Sequence, residues 1–301
     1  GLTIDSLLEA EVVTADGAIV RTNETEEPEL FWAIRGGGGN FGVATRFVFR
    51  LHPVDPMVGG LLVLPATPDT IVGFMDAAHE APEELSAIAN VMPAPPLPFL
   101  PEDVVGTPVI FSMAVHVGDV DAGQAALTPF RSLATPLADL TRPMPYPEVY
   151  PPDDDSYRPT ASSRTMFVDR IDRAAGERIM DALDASDAPL RAAQLRVLGG
   201  AVARVPADAT AFAHRASPIM VNVAAFWQGE EDRPRREAWV ADLASALHTG
   251  DDGAYVNFLG DEGPERVRAA YPGATWGRLR AAKRRYDPTN LFRRNQNIVP
   301  G

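Results

Sequence analysis

Residues 28–54 read PELFWAIRGGGGNFGVATRFVFRLHPV. Pro28 suits the first position of a helix, acidic residues crowd the turn around it, and Leu30, Phe31 and Ile34 share one face. A helix is therefore expected from about Pro28, with Gly36 as its left-handed stop. Phe41 to Leu51 then alternates as a strand does, with Phe47, Phe49 and Leu51 on one face and Arg46 and Arg50 on the other. Upstream, LTIDSLLEAEVVTADGAIVRT predicts two strands joined by the turn Ala15-Asp16-Gly17, with Val12, Val13, Ile19 and Val20 flanking the Asp-Gly hairpin signal.

The run Gly37-Gly38-Gly39-Asn40-Phe41-Gly42 satisfies G-x-G-x-x-G. That fingerprint works only where a strand precedes the glycines and a helix follows, so that a helix N-terminus faces pyrophosphate. Here the order is helix, glycines, strand, and the match is accidental. Four consecutive glycines still forfeit packing and cost backbone entropy. They serve either a tight turn packed under a neighbouring element or the close approach of a ligand to bare backbone. Asn40 adds an amide that can donate and accept.

Strands are predicted over 59–65, 85–92, 109–117, 164–169, 194–198, 219–227 and 254–259, and helices over 68–81, 121–133, 173–185, 233–248 and 276–286. Pro93–Pro101 and Pro143–Pro159 read as loops, the second carrying Asp153-Asp154-Asp155. Strands returning through hairpins and helices indicate an α+β fold, an antiparallel sheet with helices to one side.

The other informative stretch is the tail, residues 286–300, YDPTNLFRRNQNIVP. Asn290, Asn295, Gln296 and Asn297 fall within eight residues. In an extended segment Asn295 and Asn297 share a face. They either read the polar edge of a flat heterocycle or satisfy loop carbonyls. Lys283-Arg284-Arg285 closes the preceding helix, where cations complement the macrodipole, and helix-end stabilisation is the preferred reading. In the predicted strand 254–258, alternate positions carry Tyr255 and Asn257. From the residues alone a core tyrosine with a satisfied hydroxyl is favoured over a base.

The chain has 301 residues, is 46% hydrophobic and carries a formal charge of −14. It can bury a full core, in one large domain or two modest ones. The acidic balance argues against nucleic acid or an anionic membrane as partner. No apolar run approaches the roughly 18 residues of a membrane helix. With no cysteine, disulfides, thiolate catalysis and cysteine-based metal sites are absent from this stretch. The five histidines have no ligand spacing, and no metal site is expected. Residue 1 is Gly, so the missing signal peptide carries little weight and localisation stays open. Lys283 is the only lysine, which reads as a compositional bias toward arginine.

Three segments taken together, ELFWAIRGGGGNFGVATRFVFRLHPV, AYVNFLGD (254–261) and the tail, closely resemble the berberine-bridge-enzyme-like FAD-linked oxidases of the vanillyl-alcohol-oxidase flavoprotein superfamily. The opening GLTIDSLLEAEVVTADG fits the same family. The resemblance implies FAD-dependent oxidation of an alcohol, sugar or polycyclic natural product, with molecular oxygen as the usual acceptor. It places the flavin against Gly38, Gly39, Asn40, Gly42 and Val43, against Asn295 and Asn297, and against Tyr255 and Asn257. Tyr255 takes the catalytic role of substrate deprotonation, with Asn257 in support. A substrate-facing residue is implied among Gln194, Arg196 and Leu198, ahead of Gly199-Gly200.

The resemblance also implies a division into the end of a FAD-binding domain (1–52), a substrate domain (53–275) and a C-terminal return to the FAD domain (276–301). The family's pyrophosphate loop, and the histidine, often with a cysteine, that attaches FAD covalently, are expected upstream of this chain. These residues alone are accordingly expected to bind FAD weakly and to be inactive. Ser6 departs from the family's usual Asn. The reading from a different class is a non-catalytic substrate-binding or assembly module of the same shape.

Overall fold

The computed structural model describes residues 1–53, 56–149, 159–250 and 252–301. In chain order the main elements are β1 (Leu7–Val13), β2 (Ile19–Asn23), α1 (Pro28–Ile34), β3 (Val43–Phe49), β4 (Met57–Pro65), α2 (Pro68–Glu80), β5 (Leu85–Pro93), β6 (Pro108–Val117) and α3 (Val120–Arg131). There follow β7 (Ala138–Asp139), β8 (Arg142–Met144), β9 (Thr160–Val168), α4 (Arg173–Asp184), β10 (Arg191–Val197), α5 (Gly200–Arg204), β11 (Ile219–Trp227), α6 (Arg233–Leu247), α7 (Pro264–Ala269) and α8 (Ala274–Tyr286). The fold is α+β, as the sequence predicts.

Two compact units form. The first comprises 1–52, 199–217 and 252–301; the second comprises 53–198 and 218–251. The first unit therefore includes 199–217 and 252–275, stretches that sequence alone groups with the middle of the chain.

In the first unit β1 pairs antiparallel with both β2 and β3. The hairpin turn is the expected one, with Gly17 left-handed at φ 83°. Its core joins Val12 of β1, Leu30 and Trp32 of α1, Phe41, Tyr271 and Leu279 of α8. The apolar face of β3 is exposed: Val43 and Phe47 are 56% and 51% accessible. Gly42 is fixed by packing, because a Cβ there would strike Val12 Cγ1 and the Val13 carbonyl. Gly42→Ala should therefore cost about 1–3 kcal/mol, the usual penalty for overpacking. Thermal unfolding measures it, and an unchanged Tm would show that β1 yields freely.

In the second unit all strand pairs are antiparallel, in the order β7-β4-β6-β5-β10-β11-β9 with β8 also on β4. Period-2 alternation assigns the faces. Leu62 and Leu64 of β4, Val91 of β5, Leu195 of β10 and Val221 and Val223 of β11 pack under Ile71 and Phe74 of α2, Leu127 and Phe130 of α3, Ile179 of α4 and Leu243 of α6. Thr67 and Asp172 cap α2 and α4 by accepting from Thr70 N and Ala175 N, which explains why those helices start where they do.

One expectation fails here. The predicted strand 254–259 is a 3-10 turn over Val256–Phe258, closed by Phe258 N–H to Tyr255 O and Leu259 N–H to Val256 O. The run Asp153-Asp154-Asp155 lies outside the described residues.

Candidate functional site

The four glycines divide by cause. Gly36, at φ 124°, lies so close to Phe212 that a Cβ would overlap its backbone, and a Cβ on Gly37 would overlap the Ala33 carbonyl, Leu279 and Phe41. Packing fixes those two. Gly38 is left-handed at φ 68°, and a Cβ there would meet nothing nearer than Asn40 Nδ2 at 3.7 Å. Gly39 is held by neither cause, because its Cβ would approach only the Asn295 amide nitrogen, at 3.1 Å. Gly38 and Gly39 are exposed; Asn40 and Phe41 are buried.

The tail returns onto this turn. Asn295 Nδ2 donates to Gly39 O (2.7 Å). Asn40 Nδ2 donates to Gly37 O (3.0 Å) and Gln296 O (3.1 Å), while its Oδ1 accepts from Ile298 N–H (2.9 Å). The Asn40 side chain is thus occupied inside the protein, and residue 40 can reach a ligand through its backbone. Gln296 Nε2 donates to Leu259 O, tying in the 3-10 turn. Asn295 and Asn297 are not equivalent. The chain bends over 294–296, Asn295 is exposed, and Asn297 Oδ1 is buried without a partner among the described residues.

Lys283 corrects the sequence reading most. It is fully buried in place of stabilising an exposed helix end. Its ammonium donates to Asn40 O (2.8 Å), Phe292 O (2.9 Å) and Asp287 Oδ2 (2.5 Å). Asp287 is also fully buried and accepts from Leu291 N–H and Phe292 N–H. Burial pushes the Asp287 carboxyl up, but its bonds to Lys283 and those two N–H groups outweigh burial and hold it below the usual carboxylate value of 3.8. Sequence carried one signal for this pair: the only lysine in a chain whose other 26 basic residues are arginine.

Tyr255 is half-buried and opens onto a cavity of about 300 Å³, shared with Gly36, Gly38, Asn257 and the segment Leu2–Ile4. Its ring meets Phe212 edge-on (5.8 Å, 85°) and Phe258 (5.3 Å, 70°), so its plane is fixed by aromatic neighbours. Asn257 Nδ2 donates to the phenol oxygen at 2.8 Å. Arg215 stacks on Phe212 (5.3 Å) and binds Asp5 through two bonds of 2.9 and 2.7 Å, anchoring the first residues at the cavity wall. Tyr271 is different: burial pushes its hydroxyl above the ordinary phenol range, and it donates to Gly36 O as a structural proton donor.

In the second unit Gln194 and Arg196 lie on the face of β10 away from the helices, since Ala193 and Leu195 point into the core. Arg196 Nε donates to Gln194 Oε1 (2.9 Å), Gln194 Nε2 to Asn90 Oδ1 (2.7 Å), and Asn90 Nδ2 to Phe111 O (3.0 Å). Asn90 went unnoticed in the sequence because its partner sits 104 residues away. Leu198 falls beyond the strand, its N–H bonded to Pro218 O. No cluster of three metal-ligating side chains occurs among the described residues. No helix among them is long and apolar enough to cross a membrane.

Residues 254–299 match the family described as Berberine and berberine like. An FAD-linked oxidoreductase of Dictyostelium discoideum is 30% identical over 308 residues, covering 100% of this chain and 64% of the relative. The (R)-6-hydroxynicotine oxidase of Paenarthrobacter nicotinovorans is 27% identical, over 100% of this chain and 67% of its own length. Among solved structures, 6-hydroxy-D-nicotine oxidase from Arthrobacter nicotinovorans superposes with a TM-score of 0.82 at 24% identity, over 99% of this chain and 67% of that one. Over its whole length the chain is similar to FAD-linked oxidoreductases, and its residues 254–299 match the berberine-like family. It spans 64% of the length of the Dictyostelium relative.

The residues present fit FAD on observations internal to the chain. Gly38 and Gly39 are exposed, and no backbone atom crowds the position of a Cβ on either. Backbone N–H groups of Gly38, Asn40 and Phe41 have no acceptor among the described residues, although Asn40 and Phe41 are each 1% exposed. Asn297 Oδ1 is a further orphan. These unpaired groups leave donors and an acceptor available to a ligand or to water.

Proposed function

We propose that the protein is an FAD-dependent oxidase of a small-molecule alcohol, sugar or polycyclic compound. The observation that carries this reading is that Tyr255, Asn257, Gly36 and Gly38 line one cavity, so a phenol and bare backbone face the same space. When bound, FAD accepts a hydride from a substrate C–H, and molecular oxygen, reduced to hydrogen peroxide, takes the two electrons on. Gly38, Gly39, Asn40, Gly42 and Val43 would hold the cofactor through backbone, together with Asn295 and Asn297. Asn257 donates to the Tyr255 oxygen, a bond that an ionised phenolate oxygen accepts more strongly than a neutral one. In its phenolate form Tyr255 takes the proton released from the substrate hydroxyl as the hydride leaves. On the second unit, Gln194 and Arg196 form a polar row with Asn90.

The test is expression from the complete coding sequence. A flavin absorbance that survives denaturation, with peroxide formed during turnover of some alcohol or sugar, is the expected result. Colourless protein after reconstitution with FAD would exclude the reading. Gly39→Ala separates ligand approach from packing. Its Cβ meets only a movable amide, so stability should stay within about 0.5 kcal/mol. FAD affinity should fall about tenfold, the effect of about 1.4 kcal/mol. Titration of FAD fluorescence measures this, and undiminished affinity would take Gly39 out of the site.

A further inference from the structure

We propose that Lys283 is a positioning residue whose buried ammonium, acting through the Asn40 carbonyl, polarises the Phe41 N–H, one of a set of outward donors at residues 38, 40 and 41 that hold an electron-rich edge of the bound cofactor. This rests on the flavin reading above.

The turn's carbonyls are capped by side-chain donors. Gly37 O accepts from Asn40 Nδ2 (3.0 Å), Gly39 O from Asn295 Nδ2 (2.7 Å), and Asn40 O from Lys283 Nζ (2.8 Å). All peptide bonds here are trans, so C=O and N–H of each unit point opposite ways. Capping the carbonyls from the protein side turns the N–H groups of Gly38, Asn40 and Phe41 away from it. These three have no acceptor among the described residues. A hydrogen bond accepted by a carbonyl strengthens the donor of the same peptide, most when the donor is charged. Successive N–H groups in such a turn form a concavity for negative charge.

Lys283 suits that task by count and by direction. Its three donors meet three acceptors, Asn40 O, Phe292 O and Asp287 Oδ2. An arginine fork with five donors would leave N–H groups unpaired in the same pocket. Asp287 is held by Leu291 N–H and Phe292 N–H, so the pair presents its positive end to the turn. A helix-end charge would have served equally well as arginine, the residue used at every other basic position.

The protein from its complete coding sequence, loaded with FAD, is followed by amide hydrogen exchange over residues 37–43. Exchange at 38–41 is expected to slow at least tenfold on binding. The neutral pair Lys283→Gln with Asp287→Asn keeps hydrogen-bonding groups and removes the dipole. It should shift the midpoint potential of the bound flavin to more negative values, because the reduced form carries the greater negative charge. Leu279→Ala, which loosens packing under the same turn, should leave the potential in place. Bound FAD without protection, or a neutral pair with the wild-type potential, overturns the proposal. If the neutral pair fails to fold, the wild-type exchange result decides. If wild-type protein takes up no FAD, the flavin reading falls, and inorganic pyrophosphate becomes the probe. Protection of 38–41 by that anion would sustain the donor set, and no protection would end it.

Discussion

Tyr255→Phe is expected to lower kcat by about 10²- to 10⁴-fold, the range for loss of a positioned proton-transfer group. The exchange removes one oxygen and keeps the ring that meets Phe212 and Phe258. Asn257 is exposed, so its freed amide returns to water without a burial penalty. Flavin content and Tm should therefore match wild type, and KM should change little beside kcat. Tyr271→Phe is the comparison, since that hydroxyl is buried, bonded to Gly36 O, and its loss acts on stability. Steady-state oxygen consumption measured in the complete enzyme decides the matter. Turnover within twofold of wild type in Tyr255→Phe would remove the tyrosine from proton transfer and leave FAD binding untouched.

What could be read from sequence, and what could not, follows from the range of the interactions. The hairpin, α1 and the alternation of β10 and β11 depend on neighbours two to four residues apart, and they form where pattern puts them. Tyr255 to Phe258 alternates just as well, yet it folds as a 3-10 turn. Its backbone pairs locally, Phe258 with Tyr255 and Leu259 with Val256. Pattern records which side chains alternate; it cannot record whether the backbone pairs with a strand or with itself. The glycine run announced close approach, but the division of labour among its members depends on Phe212, Leu279 and Asn295, all far along the chain. Asn40 and Lys283 show the same limit. Each looked like a local polar residue, and each is defined by partners more than 240 residues away in sequence. The resemblance to a family supplied the pairing that spacing could not.

Breaking the buried pair should give the largest stability effect. In Lys283→Met the volume is nearly kept, but Asp287 stays buried with no cation, and Asn40 O and Phe292 O lose their donor. Removing one partner of a buried ion pair costs about 3–5 kcal/mol. The tail and the glycine turn should loosen together, since both hang on the same ammonium. Lys283→Met with Asp287→Leu should recover part of the loss, because no unpaired charge remains. The pH dependence gives an independent check. The folded-state carboxyl of Asp287 lies below its ordinary value of 3.8, so its stabilising contribution is present above that pH and disappears as pH falls through the folded value. In Lys283→Met the unpaired carboxyl takes up a proton instead. The gap between wild type and variant should then be widest near pH 7 and narrow as pH falls below about 3.8. Urea unfolding at a series of pH values measures both terms. A loss under 1 kcal/mol, or a gap that is flat with pH, would mean that the pair does not hold the turn and tail together.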